Sequence, residues 1–447
     1  MPSTSSISAA WARVLPGAIL GSASGISALL LYTNGLFVAG LSREFGLTRT
    51  QFGLGVSLVT LALAAANPLV GWAVDRWGAR RPAMAGLVLL ALGFASLGAF
   101  VHSIGSYLLL QSIVAFAGAA SGPIAYTKII SATFQKHRGL ALGLTMTGIG
   151  CSAAAVPPVL SSIIAAHGWR VGFFALSVVP LVGALATALL IPRKTAGALA
   201  DGGRRGSGPN APDTACTSGT SDTVNGRSIE VPMPAAGHWI RSRVFWVMAA
   251  AFAMMSLSFA GLLPHFVPML TDAGLTPIAA GRVAGEIGLA VIASRLVVGF
   301  LLDRMFAPRI AIAISLITAS GCVVFIVNGV TAASLTAIAL GFAIGAELDL
   351  MGFLVARYFG LPEFGRIYGW LYCAFIFASG LGPLWVGALR DTTGNYTLSL
   401  ALSAGGLVLA CVGFLMLPRY EATSTSSDPQ ALTPDPEHSD FAKRPTP

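Results

Sequence analysis

Charge is scarce in this chain: Asp, Glu, Lys and Arg together make up 10% of its 447 residues, where a soluble domain carries roughly 25%. So few charges cannot cover a water-facing surface, which excludes an ordinary soluble globule. Paired cysteines are missing too. The five cysteines, Cys151, Cys216, Cys322, Cys373 and Cys411, form no C-x-x-C pair, so a zinc site or disulfide frame is not expected and they read as small packing residues. There is no H-E-x-x-H, no G-x-S-x-G and no G-x-x-x-x-G-K-[ST], which removes the usual signatures of a metalloprotease, a serine hydrolase and an ATP-driven pump. No enzyme activity, catalytic residue, cofactor or metal is expected.

What is abundant is apolar sequence, 55% of the chain. About 20 apolar residues in a helix span the hydrocarbon layer. Such stretches fall at residues 14–40, 52–74, 82–101, 104–129, 139–166, 171–192, 244–270, 279–302, 309–328, 331–355, 367–389 and 397–417. In lipid each must satisfy its own backbone hydrogen bonds, so helices are predicted throughout. Placing both termini in the cytoplasm puts Arg76, Arg80, Arg81, Lys136, Arg138, Arg193, Lys194, Arg304, Arg309 and Arg366 inside. Only Arg43, Arg49, Arg170 and Arg390 then sit in outer loops, the bias expected of a multi-pass protein of the cell membrane. The same bias accounts for the net charge of +9 without a nucleic-acid partner. Pro157–Pro158, Pro264, Pro268 and Pro383 should kink or break their helices.

Residues 193–242 are rich in Gly, Ser, Thr, Asp and Pro and read as a flexible cytoplasmic linker; residues 419–447 read as a disordered tail. The linker divides the chain into residues 13–192 and 243–418, behind a short cytoplasmic lead at 1–12. These two parts are copies of one plan. Gly71-Trp-Ala-Val-Asp75-Arg76 returns as Gly299-Phe-Leu-Leu-Asp303-Arg304, an offset of 228 residues. Gly46-Leu47-Thr48 returns as Gly274-Leu275-Thr276, and Arg138 as Arg366, on the same offset. The expected fold is all-α and integral to the membrane, with twelve transmembrane helices in two pseudo-symmetric six-helix bundles.

The run from Gly71 through Asp75-Arg76-Trp77-Gly78-Ala79-Arg80-Arg81, between spans 2 and 3, resembles the signature loop of the major facilitator superfamily, and Gly299 to Arg304 between spans 8 and 9 resembles its second copy. The resemblance implies that Asp75, Arg76, Arg81, Arg138, Asp303, Arg304 and Arg366 gate the inner face. Asp75 can accept from the free N–H groups of a neighbouring helix N-terminus, that of span 11 near Arg366. Tyr32–Phe52, His265–Asp272 and Gly345–Gly360 further resemble bacterial members of the monocarboxylate porter and oxalate/formate exchanger group. This chain departs from that group in two ways. Animal monocarboxylate porters carry an aspartate one turn before the span-8 arginine, where Val291 stands. Oxalate exchangers carry a lysine in span 11, which has none here.

Ionisable residues inside spans cost about 2.5–3.5 kcal/mol on insertion scales and so point to function. Arg295 lies eight residues before Asp303, about 12 Å into the membrane. A guanidinium there is an anion site able to hold a carboxylate in a bidentate grip, and the resemblance gives a span-8 arginine that part. Glu347 and Asp349 in span 10 are the candidates for carrying a coupled proton; their spacing sets them roughly 200° apart round the helix, on different faces. His265, Tyr32 and Asn34 are candidate substrate contacts, His265 serving equally well as a helix-contact residue. Glu286 reads as an i,i+4 partner of Arg282.

The resulting expectation is a secondary active transporter of a small organic monocarboxylate, coupled to protons, working by alternating access and functional as a monomer. The alternative on the same fold is an exporter or exchanger of a larger organic compound, such as an aromatic acid, a siderophore or a drug.

Overall fold

The computed structural model describes residues 10–47, 49–134, 137–192 and 238–420. The described residues up to Leu417 form one compact unit. The linker segment 193–237 and the tail from 421 lie outside the described residues. The described residues contain ten runs long and apolar enough to cross a membrane. Two more spans complete the twelve. One is a broken first span; the other appears because the run Ala307–Tyr358 divides at Gly329.

Span 1 consists of α1 (Leu15–Ala23), α2 (Ile26–Thr33) and α3 (Val38–Phe45), with a 3-10 turn at Asn34–Phe37. Spans 2 and 3 are α4 (Arg49–Trp77) and α5 (Arg80–Phe100). Span 4 is α6 (Ile104–Gly118) and α7 (Pro123–Thr133); spans 5 and 6 are α8 (Arg138–His167) and α9 (Trp169–Leu190). The second half begins with a broken span 7, α10 (Arg243–Leu262) and α11 (Phe266–Asp272). It continues through α12 (Pro277–Leu302), α13 (Ala307–Asn328), α14 (Ala333–Tyr358), α15 (Phe364–Thr393) and α16 (Thr397–Leu415).

The breaks have local causes. Pro264 lacks an N–H, and span 7 interrupts there as expected. Pro157, Pro158 and Pro383 instead stay inside continuous helices. Spans 1 and 4 break against each other. Gly25 brings the chain so close to Ser121 that a Cβ would strike its carbonyl. The freed Ile26 N–H donates to Ser121 Oγ at 3.0 Å.

The halves meet along two seams, α4 with α15 and α8 with α12, which the internal repeat relates. Close backbone approach at small residues is the usual way helices pack in lipid, and here it is graded along each seam. A Cβ at Gly139 would collide with the Gly299 carbonyl, and one at Gly143 with the Arg295 carbonyl. At Gly150 the nearest atom, on Ile292, would be an ordinary 3.4 Å away. Farther along that face of α12, Gly288, Gly285 and Gly281 meet only open space. The other seam repeats the gradient: Gly71 against the Gly365 carbonyl, Gly369 against the Asn67 carbonyl, and finally Gly53 facing open space. Both seams are closed at the end carrying Asp75 and Asp303 and part toward the other end.

Candidate functional site

At the closed end each repeated aspartate caps a helix of the opposite half. Asp75 accepts from the amides of Gly365 at 2.8 Å and Arg366 at 2.7 Å, the first turn of α15. Asp303 accepts from the amides of Gly139 at 2.7 Å and Leu140 at 3.0 Å, the first turn of α8. Four first-turn donors without helical partners thus find carboxylate acceptors, and the anions sit at the positive ends of helix dipoles. The glycines matter because a Cβ at Gly365 would strike Asp75 Oδ1.

The basic residues of the two motifs are placed differently from the aspartates. Arg366 reaches Asp75 through its amide, while its guanidinium lies 3.7 Å from Glu363. Arg138 donates from Nε to the Phe134 carbonyl at 3.3 Å. Arg76 lies over the Trp72 ring and Arg304 over Phe300, and Arg81 is exposed. The cation that does reach Asp75 is Lys128 of α7, at 2.6 Å and with its side chain 7% exposed. Sequence reading passed over it, though a lysine inside an apolar span was the available signal. Its counterpart on the 228-residue offset is Ala356; among the described residues no lysine bonds Asp303, whose charge is instead felt by Arg138.

Mid-membrane, Arg295 is 4% exposed. The helix carrying it, α12, packs closely on α14, where Ser294 Oγ donates to the Phe342 carbonyl at 2.7 Å. Arg295 Nη1 lies 3.9 Å from Asp349 Oδ1, too far for a hydrogen bond. Its Nε and Nη1, both oxygens of Asp349 and Oε2 of Glu347 are all buried without a hydrogen bond to protein. Glu347 feels the charges of both Arg295 and Asp349. Although their spacing sets the two acids on different faces of α14, the long side chain of Arg295 lies within electrostatic reach of both. Tyr32, half exposed, also stands within reach of Arg295 and Glu347, which brings span 1 of the first half to this cluster.

Asn34 and His265 do not join it. Asn34 Oδ1 accepts from the Tyr107 hydroxyl at 2.9 Å inside the first half. His265 Nε2 is 3.1 Å from the Pro383 carbonyl, the helix-contact arrangement. The pair expected between Arg282 and Glu286 is replaced by a bond from Ser334 Oγ to Glu286 Oε1 at 3.1 Å. Among the described residues no group of His, Cys, Asp and Glu could hold a metal ion.

Two halves joined by reciprocal aspartate caps, with a polar cluster at mid-membrane, are the layout of a carrier. Residues 20–347 match the profile of the Major Facilitator Superfamily. The chain belongs to that superfamily. Human monocarboxylate transporter 11 is 27% identical over 409 residues, which cover 89% of this chain and 81% of that protein. Monocarboxylate transporter 13 of Bos taurus is 26% identical over 417 residues, covering 88% and 89%. In fold, this superfamily member is similar to the Escherichia coli fucose:proton symporter FucP, with a TM-score of 0.65 at 16% identity over 90% of this chain and 98% of that one. It is a multi-pass membrane transporter.

Proposed function

We propose that this transporter carries a small organic monocarboxylate together with a proton, by alternating access between two six-helix halves joined by the 193–242 linker. The observation that carries the reading is Arg295: a buried guanidinium with two unused donors, beside two carboxyl groups that do not hydrogen-bond it. A buried cation without a close partner is costly, and an arriving carboxylate supplies the bidentate acceptor that the guanidinium fork fits. The names of the sequence relatives agree with that chemistry.

Coupling follows from competition. A substrate carboxylate on Arg295 takes over the cation's field from Asp349 and Glu347. A carboxyl that loses its counter-ion inside a low-dielectric site favours the neutral form, so anion and proton load together and their summed charge is zero. Tyr32 supplies a hydroxyl to the same site from the other half. The Lys and Arg bias places the Asp75 end in the cytoplasm. With both caps made there and the seams parted at the other end, the conformation is the outward-facing one. The Asp75 and Asp303 caps, with Lys128, then form the inner gate.

Uptake of labelled lactate-sized acids into proteoliposomes, with and without an inward proton gradient, tests the reading. Wild type should accumulate label only with the gradient. Arg295→Lys should lower uptake about 10- to 100-fold, the loss of a charge-assisted hydrogen bond of about 1.5–3 kcal/mol, with normal insertion. Uptake at the wild-type rate by Arg295→Lys would overturn it.

A further inference from the structure

The 228-residue offset continues beyond the signature loops into the outer ends of spans 1 and 7. Leu263–His265, where span 7 breaks, corresponds to Gly35–Phe37, inside the 3-10 turn of span 1. At both places i→i+3 bonds replace the helical ladder: Val38 N–H to the Gly35 carbonyl, and His265 and Phe266 N–H to the Leu262 and Leu263 carbonyls at 3.1 and 3.3 Å. Short 3-10 stretches inside helices often mark hinges. The segments beyond, α3 and α11, start on equivalent residues, Val38 and Phe266. They end before equivalent glycines in positive φ, Gly46 at 70° and Gly274 at 101°.

Each segment carries one acid near its tip, again on the offset: Glu44 and Asp272. Each acid is tied to an arginine of its own half. Glu44 accepts from Arg170 Nη2 at 2.8 Å and from the Trp169 indole at 2.7 Å. Arg170 is itself anchored on the Val101 and Gly98 carbonyls, at 2.8 and 3.2 Å, and its guanidinium lies 4.3 Å from the centre of the Trp169 ring. Asp272 accepts from Arg390 Nη2 at 2.8 Å and Nε at 3.2 Å, with Arg390 over Tyr396 at 5.5 Å. The arginines come from non-equivalent positions, since the residue 228 after Arg170 is Leu398. The two halves therefore reach the same acid–arginine–aromatic arrangement by different routes.

We propose that Glu44–Arg170 and Asp272–Arg390 are paired latches that hold the hinged segments α3 and α11 back against their own halves, keeping the outer entrance open, and that both must release for it to close. This rests on the alternating-access reading. An outer closure that brings the two halves together must swing these tips inward, and that motion pulls each acid away from an arginine fixed to the body of its half. The latches make Arg170 and Arg390 positioning residues of the transport cycle, remote from the substrate.

The test uses the full chain in proteoliposomes, with the five native cysteines replaced and spin labels at Ser42→Cys and Ala273→Cys. Double electron–electron resonance then reads the distance between the tips. Wild type should show a long distance and a shorter one that gains population on adding a monocarboxylate at low pH. Glu44→Gln with Asp272→Asn should raise the short-distance population about two- to fivefold per latch, the range of exposed ion pairs. High salt should shift wild type the same way and the double variant little. The swapped pair Asp272→Arg with Arg390→Glu should restore the wild-type balance, which a misfolded variant would not. If wild type closes and the double variant shows the same populations, the latches are overturned while alternating access stands. If wild type never shows the short distance, alternating access fails and the latches with it.

Discussion

Lys128 shares Asp75 with two backbone amides. Removing the charge from Asp75 therefore strands a buried cation. Asp75→Asn should lower the melting temperature or the yield of folded protein, since an uncompensated buried charge costs about 3–5 kcal/mol. Lys128→Met in the same chain should recover most of the loss in a thermal-shift measurement. At mid-membrane the two acids separate by the same kind of logic. Glu347→Gln should abolish gradient-driven accumulation yet leave exchange of substrate across the membrane. Asp349→Asn, which takes away the carboxylate nearest Arg295, should tighten apparent substrate affinity, measured as a lower KM in exchange. Arg295 and the acids of span 10 were legible because charge inside a long apolar run has no structural excuse in lipid. Lys128 was equally anomalous, but its partner lies 53 residues away in another helix, and no spacing rule connects them.

At the scale of elements the spans were legible almost to their ends, because hydrophobic length is what lipid selects. The exceptions are instructive. Span 1 runs on to Phe45, where α3 turns amphipathic with Arg43 and Glu44 and the hydropathy signal fades. The break in span 4 carries a proline, Pro123, at the first position of α7, but the break in span 1 has none at its place and depends on Gly25 meeting Ser121 across two helices, which sequence order does not reveal. The seams make a sharp prediction about glycine. Gly299→Val places side-chain atoms against the Gly139 carbonyl and should force α12 from α8 at the closed end. Labelling of a cysteine placed in the mid-membrane cluster, by a reagent added from the cytoplasmic side, should rise. Gly285→Val, on the same face but in open space, should leave that labelling unchanged.

For the whole molecule, the internal repeat was the feature that sequence revealed best, and the structure turns it into two seams capped by reciprocal aspartates. The copies are not equal, however. Asp303→Asn probes a cap that has no lysine bonded to it among the described residues. Losing the charge from two amide bonds should shift the balance toward the inward-facing form by about tenfold or more, read as faster modification of inner-cavity cysteines from the cytoplasmic side. Wild-type modification rates would show the cap to be decoration.

The lysine at Asp75 has a consequence beyond that experiment. Lys128 belongs to the same half as Asp75, so in the proposed cycle Asp75 would keep a counter-ion as α15 draws away from α4. Asp303 has no lysine at the matching position, where Ala356 stands, and Arg138, whose charge it feels, belongs to the opposite half. The two edges of the doorway would part in different electrostatic company, so a molecule built from two copies of one plan has two unlike edges.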